Sequence, residues 1–363
     1  MHSNVKRFNL TLALGPSRII EKTPTIFNYI SRMPMLEHLD IGLGRFAPNV
    51  LQLEAIKNLG HLKTINLPPF SLSAQIIEAL SHLPNLLEVK CQELDQAYMP
   101  SPIPPFDMHF SQGAFRSLRG LSLTVDVPST ILLLNQEFFP SQIQDLSLAM
   151  PINQHPSLVH ELLEVIANKC PMLEVFSFSD YTTEDKDDIP SLTLQDIFPI
   201  LSYTRLKSLK IRHSVPLALE KSDMEVLASS LTHIECLCLN ELPALDRSQG
   251  LPLDALLSFA RHCPRLTCLG FLIDATLNTS STIDSQSFRA LQHLSMGYSN
   301  IEDYRPVALF LARICPPGCE VESEPFWDNH TQSNTWASVN EVLPLLVTMR
   351  TERRMSERQG SDQ

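Results

Sequence analysis

The stretch H-C-P-R-L-T-C-L-G-F-L-I-D, residues 262–274, sets a large apolar residue at Leu266, another at Leu269 and a third at Phe271. Successive side chains of a strand point to opposite sides, so the alternating pair Leu269 and Phe271 predicts a short strand with one face turned inward. Pro264 stands just ahead of it. A residue that precedes proline is pushed out of the helical region, so the proline closes whatever helix comes before. Helix end, proline stop and strand are therefore spelled within one short segment.

The same spelling recurs along the chain. Repeats of L-x-x-L-x-L, with any large apolar residue allowed, stand at Val5/Phe8/Leu10, Leu36/Leu39/Ile41, Leu62/Ile65/Leu67, Leu86/Val89/Cys91 and Leu118/Leu121/Leu123. They continue at Ile143/Leu146/Leu148, Leu173/Phe176/Phe178, Leu206/Leu209/Ile211, Ile234/Leu237/Leu239, Leu266/Leu269/Phe271 and Leu291/Leu294/Met296, with a degenerate copy at Cys319/Val321. Their first places are about 24 to 33 residues apart, the spacing of leucine-rich repeats with irregular insertions. Amphipathic stretches such as 73–83 and 160–170 precede many copies. A single helix and strand cannot bury their own apolar side, whereas stacked units bury a continuous core. The expected fold is an α/β leucine-rich-repeat solenoid, a horseshoe with a parallel concave sheet and convex helices. It has about twelve irregular repeats over residues 1–322.

Residues 323–363 are expected to form a linker, a capping helix and a charged, frayed tail. Ser338 and Glu341 have the spacing of a capping box, and Pro344 is expected to break or restart the helix. Trp336, Val339, Leu343, Leu346 and Val347 would line the face that covers the last repeat. Proline-rich residues 95–113, acidic 180–190 and polar 274–287 predict loops on one rim of the sheet, where insertions can touch a partner.

Composition narrows the function. A net charge of -12 argues against general nucleic-acid binding, which needs clustered Lys and Arg. No apolar run approaches the roughly 20 residues of a membrane helix, and the opening residues lack a proper signal peptide, so the cytosol or nucleus is expected. No G-x-S-x-G, H-E-x-x-H, phosphate-binding loop or C-x-x-C pair occurs, and no enzyme is expected.

Side chains at the third and fifth places of each repeat should point away from the core, onto the concave face. Three regions follow. Ser122, Ser147 and Ser177 make a small polar floor, with Thr124 and Ser179 at the next places on the same side. Lys207, Lys210 and Arg212 make a basic spot in an acidic protein. Cys236, Cys238, Cys268 and Leu272 make an apolar, thiol-rich patch. Neighbouring strands are about 4.8 Å apart, so Cys236 and Cys268 could share a zinc with Cys238 or form a disulfide. Thiols also serve as small hydrophobes, and filling without a metal or other cofactor is the expectation. The candidate partner-binding residues are Ser122, Thr124, Ser147, Ser177, Ser179, Lys210, Arg212, Cys238 and Leu272.

The prolines at 34, 84, 171 and 264 each stand two places before the first apolar residue, after Met33, Leu83, Cys170 and Cys263. This helix–(C)P-x-L-x-x-L-x-L spelling resembles the irregular leucine-rich repeats of fungal F-box-like proteins. The resemblance implies a solenoid that selects a protein client, and an N-terminal F-box bundle that docks on the adaptor of a cullin-type ubiquitin ligase. No F-box precedes the first repeat, so an adaptor is expected only if one is encoded upstream. The alternative is a stand-alone scaffold or inhibitor unrelated to ubiquitin. Regular repeats of the ribonuclease-inhibitor kind place Asn or Cys eight residues after the first leucine. Here those places hold Gly44, Phe70, Leu94, Asp126, Pro151, Tyr181, Ser214, Leu242, Asp274 and Ser299, so no such ladder is expected. The chain is expected to act as a monomer that binds a protein client on the concave face or loop rim.

Overall fold

A computed structural model describes residues 4–11, 25, 27–42, 56–69, 71–92, 110–150, 154–180, 190–244, 250–276, 286–324 and 330–361. The three expected rim loops fall inside these ranges only at their ends. The eighth-place residues Gly44, Phe70, Leu94, Pro151 and Tyr181 lie outside them. The chain divides into two compact units, Met1–Thr183 and Glu184–Gln363.

In the first unit, β1 (Arg7–Thr11), β2 (His38–Gly42), β3 (Thr64–Leu67), β4 (Glu88–Cys91), β5 (Gly120–Thr124), β6 (Asp145–Met150) and β7 (Val175–Asp180) lie side by side in chain order, all parallel. Each strand falls on one repeat of the sequence. Like places pair with like: His38 stands opposite Thr64, Thr64 opposite Glu88, and so on to Val175. From β2 onward the first, fourth and sixth places are buried, as in Leu36, Leu39 and Ile41. Cys91 is half-buried, and in the first repeat Val5, Phe8 and Leu10 are also only half-buried.

The second unit repeats the scheme with β8 (Ser208–Arg212), β9 (Cys236–Leu239), β11 (Cys268–Phe271), β13 (His293–Ser295) and β14 (Glu320–Glu322), parallel and in that order. A separate two-stranded ribbon joins β10 (Leu251–Pro252) to β12 (Ile273–Asp274). Gly250 permits that pairing, because a Cβ on it would stand 2.4 Å from the Asp274 nitrogen.

Helices precede the strands: α1 (Ala74–Ser81), α2 (Val127–Leu134) and α3 (Pro156–Lys169) in the first unit, then α4 (Leu194–Ile197), α5 (Lys221–Ser230), α6 (Leu256–His262) and α7 (Tyr304–Ile314) in the second. Their starts carry the expected N-terminal chemistry. Asp126 Oδ1 accepts from Ser129 N at 2.7 Å, Ser73 Oγ from Ile76 N, and Thr193 with Asp196 forms a capping box. Their ends obey the proline rule. Cys170 and Cys263, each before a proline, leave the helical region at ψ 61° and 74°. Both are buried, at 0% and 2% exposure, so the junction thiols fill space under the repeat.

The turn into each strand is stitched by the backbone. The second-place carbonyl of one repeat accepts two N–H groups from the next: Lys63 O from Leu87 and Glu88, Arg119 O from Gln144 and Asp145, Glu235 O from Thr267 and Cys268. In both units the architecture is therefore an α/β leucine-rich-repeat solenoid, with one sheet face in the core and the other open.

The C-terminal segment differs from expectation. One helix, α8 (His330–Ser361), runs through Pro344, and Ser338 lies inside it, donating to the Asn334 carbonyl rather than capping. Tertiary packing overrides the proline. Trp336, Val339, Leu343 and Val347 are buried against α7 and β14, and Leu346 is half-buried. Arg350 donates to the Arg313 and Cys315 carbonyls, satisfying the C-terminus of α7. No helix among the described residues is long and apolar enough to cross a membrane.

Candidate functional site

The strands fix which side chains reach the open face. Because the pairing is in register, third and fifth places form columns across each sheet, at right angles to the strands.

In the first unit, Ser122, Ser147 and Ser177 stand in one such column, with Ser179 beside them, all half-buried. They line a depression of about 150 Å³ together with Cys91 and Gln92. Thr124 does not share in it. The sequence places Thr124 on this floor, but the structure buries it to 3% exposure, because the Cys91 thiol of the preceding strand lies against it. Burial pushes that thiol up to about 12.

A second and larger hollow, of about 470 Å³, lies on the open face of β1 to β4. Its polar side chains meet one another. Across neighbouring strands His38 Nδ1 lies 2.7 Å from Thr64 Oγ1 and Asn66 Nδ2 donates to Asp40 Oδ1 at 3.1 Å, and along β4 Lys90 pairs with Glu88 at 2.8 Å. These residues occupy the same third and fifth places as the serines, so the signal was in the columns. Polar variety rather than a uniform residue type masked it. Next to the hollow, Gly120 lets Glu88 and Asp145 approach, 3.3 and 3.8 Å from where its Cβ would stand. Burial raises the Asp145 carboxyl above its usual range, with Glu88 adding to the shift and Lys90 opposing it.

In the second unit Lys210 stands opposite Cys238, and Ser208 opposite Cys236. Lys210 is exposed and Arg212 half-buried. The basic spot has an acidic counterpart that the repeat spelling did not reveal, Glu241. Burial raises the Glu241 carboxyl, while Arg212 and Lys210 pull it down. Glu241 lies just beyond the strand, outside every repeat place, which is why periodicity missed it.

The thiols converge. Cys236 and Cys268 are paired in register, and the Cys238 and Cys268 sulfurs are 3.9 Å apart. All three sulfurs lie within 4.8 Å of one another. Cys236 is held well below the usual thiol range, first by the neighbouring thiols of Cys238 and Cys268 and then by Lys210. Leu272 takes no part in this cluster's sheet. The main strand ends at Phe271, and the Leu272 carbonyl accepts from Leu251 N where the chain turns into the β10–β12 ribbon.

Asn240, at the seventh place of its repeat, turns inward instead of facing out. Its φ is 55°, its Oδ1 accepts from His213 N at 2.8 Å and its Nδ2 donates to Val215 O at 2.7 Å. Ser299 does similar work, accepting from Ile273 N at 2.7 Å. Two turns of this unit are therefore bridged by polar side chains, without the eighth-place Asn or Cys of the regular repeats.

Among the described residues, a further group, His293, Glu320 and Glu322, is exposed on β13 and β14 with 3.8 Å ion pairs.

No protein-family model and no curated protein sequence matches the chain. Among solved structures it is similar to a chain of the Rad7 and Elc1 complex in yeast, at 12% identity and a TM-score of 0.33, over 86% of this chain and 83% of that one. It is also similar to a chain of the LRIM1/APL1C complex, at 11% identity and a TM-score of 0.32, over 98% of this chain and 61% of that one. At these values neither likeness carries weight, and the fold rests on the strand register itself.

Proposed function

We propose that this chain is a non-catalytic recognition scaffold that binds a protein on the open face of its repeat sheets. The observation that carries this is the column arrangement. Core places are closed and apolar while the third and fifth places present polar, hydrogen-bonding and charged groups in ordered rows, as in the hollow over β1 to β4 and the serine floor. Such a surface spreads contacts over many strands, which suits a macromolecular partner better than a small substrate.

The finer proposal is a client receptor of a cullin-type ubiquitin ligase, acting in the cytosol or nucleus. Its support is the helix–(C)P-x-L junction, which resembles that of fungal F-box-like proteins and which the structure repeats at Cys170 and Cys263. A stand-alone scaffold or inhibitor is the alternative. Affinity purification of the full-length gene product with mass spectrometry separates them. A client recovered with a ligase adaptor and cullin supports the receptor, a client without them supports the stand-alone scaffold, and no protein partner at all sinks both. Once a client is in hand, K210E and R212E test the basic spot. Affinity for an acidic client should fall by about tenfold, along with its salt sensitivity, and unchanged affinity removes that spot from the interface.

A further inference from the structure

We infer that Cys236, Cys238 and Cys268 form a binding site for one zinc(II) ion on the open face of the second unit.

The first ground is placement. Cys236 and Cys268 face each other on adjacent parallel strands, and Cys238 is two places along from Cys236 on the same side. Cys238 would ordinarily sit opposite a side chain at the fifth place of β11. That place is Gly270, and the Cys238 sulfur lies over it, 3.2 Å from where a Cβ would stand. A glycine here is what admits the third thiol.

The second ground is distance. Zinc–sulfur bonds of about 2.3 Å in a tetrahedron set sulfurs about 3.8 Å apart. The Cys238–Cys268 separation is 3.9 Å, and the remaining separations do not exceed 4.8 Å. Closing the site requires less than about 1 Å of sulfur movement, within reach of side-chain rotation.

The third ground is the charge and donor set. Three thiolates are soft ligands, which select zinc or copper(I) over magnesium or calcium. Lys210 stands opposite Cys238, with Arg212 two places along its strand, and offsets the net negative charge of a tris-thiolate zinc centre. The Glu241 carboxyl approaches the same space above Gly270, 3.3 Å from its virtual Cβ. It supplies a harder oxygen donor of the kind zinc accepts, and water reaches the open face as another. That oxygen favours zinc(II) over copper(I). On binding, each thiol still protonated gives its proton to solvent and its sulfur lone pair to the metal, with no change of oxidation state.

The test uses the full chain, prepared with reductant and stripped by chelator, with zinc titrated against a chromogenic chelator. The expected result is one zinc per chain, with affinity at least a hundredfold weaker in the C236S/C268S double variant. C263A and H293A should bind as the parent does. Cobalt(II) in place of zinc should show a sulfur-to-metal charge-transfer band, which the exposed His293–Glu320–Glu322 group cannot give. If the double variant fails to fold, the parent still answers, because zinc should slow alkylation of the three thiols at least tenfold in peptide mapping. Absence of uptake, uptake unchanged in a folded double variant, a cobalt spectrum without the sulfur band, copper(I) binding without zinc binding, or thiols that alkylate at the same rate with zinc each overturn the site. So does a Cys238–Cys268 disulfide that forms without reductant and whose reduction restores no uptake.

Discussion

Glu241 shows what a single residue does against the repeat pattern. Its carboxyl is raised by burial, so the folded chain prefers it neutral, and it resists ionisation more than the unfolded chain does. The sign follows. Stability should fall as pH rises from the ordinary carboxylate range, about 4.3, through the raised value, because the unfolded state sheds this proton first. In metal-free protein, E241Q should remove that fall and leave the variant more stable than the parent at neutral pH. Melting temperatures across the pH range, read by circular dichroism, check it; a parent curve with the same slope as the variant's would mean the burial does not act on this group. The neighbouring misplacements have the same origin. Ser122, Ser147, Ser177, Lys210 and Cys238 were legible because side-chain alternation in a strand follows from geometry alone. Thr124 and Leu272 were not, since one is covered by Cys91 and the other lies where the chain leaves the strand. Asn240 adopts a left-handed turn whose partners are backbone atoms of another repeat, and no apolar spacing records that.

Among the elements, the strands of the main repeat sheet were foreseeable and a capping helix was expected, whereas the β10–β12 ribbon and the unbroken run of α8 through Pro344 were not. Strand positions depend on an inward pair every repeat, which the chain spells plainly. Helix α8 depends on what it lies against. Its proline removes a backbone donor, yet Trp336 and its neighbours bury enough apolar surface on α7 and β14 to keep the helix continuous. Trp336 also donates from Nε1 to the Ser299 carbonyl at 2.9 Å, tying the helix to the turn that holds β12. W336A should therefore cost about 3–5 kcal/mol in chemical denaturation, in the range of large aromatic truncations in cores. W336F keeps most of the packing and loses one hydrogen bond, so it should cost about 1–2 kcal/mol. Hydrogen exchange should show faster amides in α8 and in β14 for W336A. Unchanged exchange in β14 would mean that the helix does not brace that strand.

Across the whole chain, the structure separates the residues that hold it together from those that meet the surroundings. Burial of leucine-sized side chains supplies about 1.5–3 kcal/mol each; it recurs at the first, fourth and sixth places, and helix residues such as Leu80, Ile166 and Leu311 add to it. L146A should then destabilise the protein by about 2–5 kcal/mol. Combined S122A, S147A and S177A, in the column beside it, should stay within about 1 kcal/mol of the parent. Denaturant melts of both decide the matter, and a triple variant as damaged as L146A would refute the separation. The in-register pairing adds something to this. When like places stand opposite like across the paired strands of each unit, a changed outward residue meets the same repeat place on either side, whatever residue fills it. The face thus behaves as a typeset page whose letters can be exchanged one at a time, so selection can rewrite what the protein greets while leaving unaltered the frame that displays it.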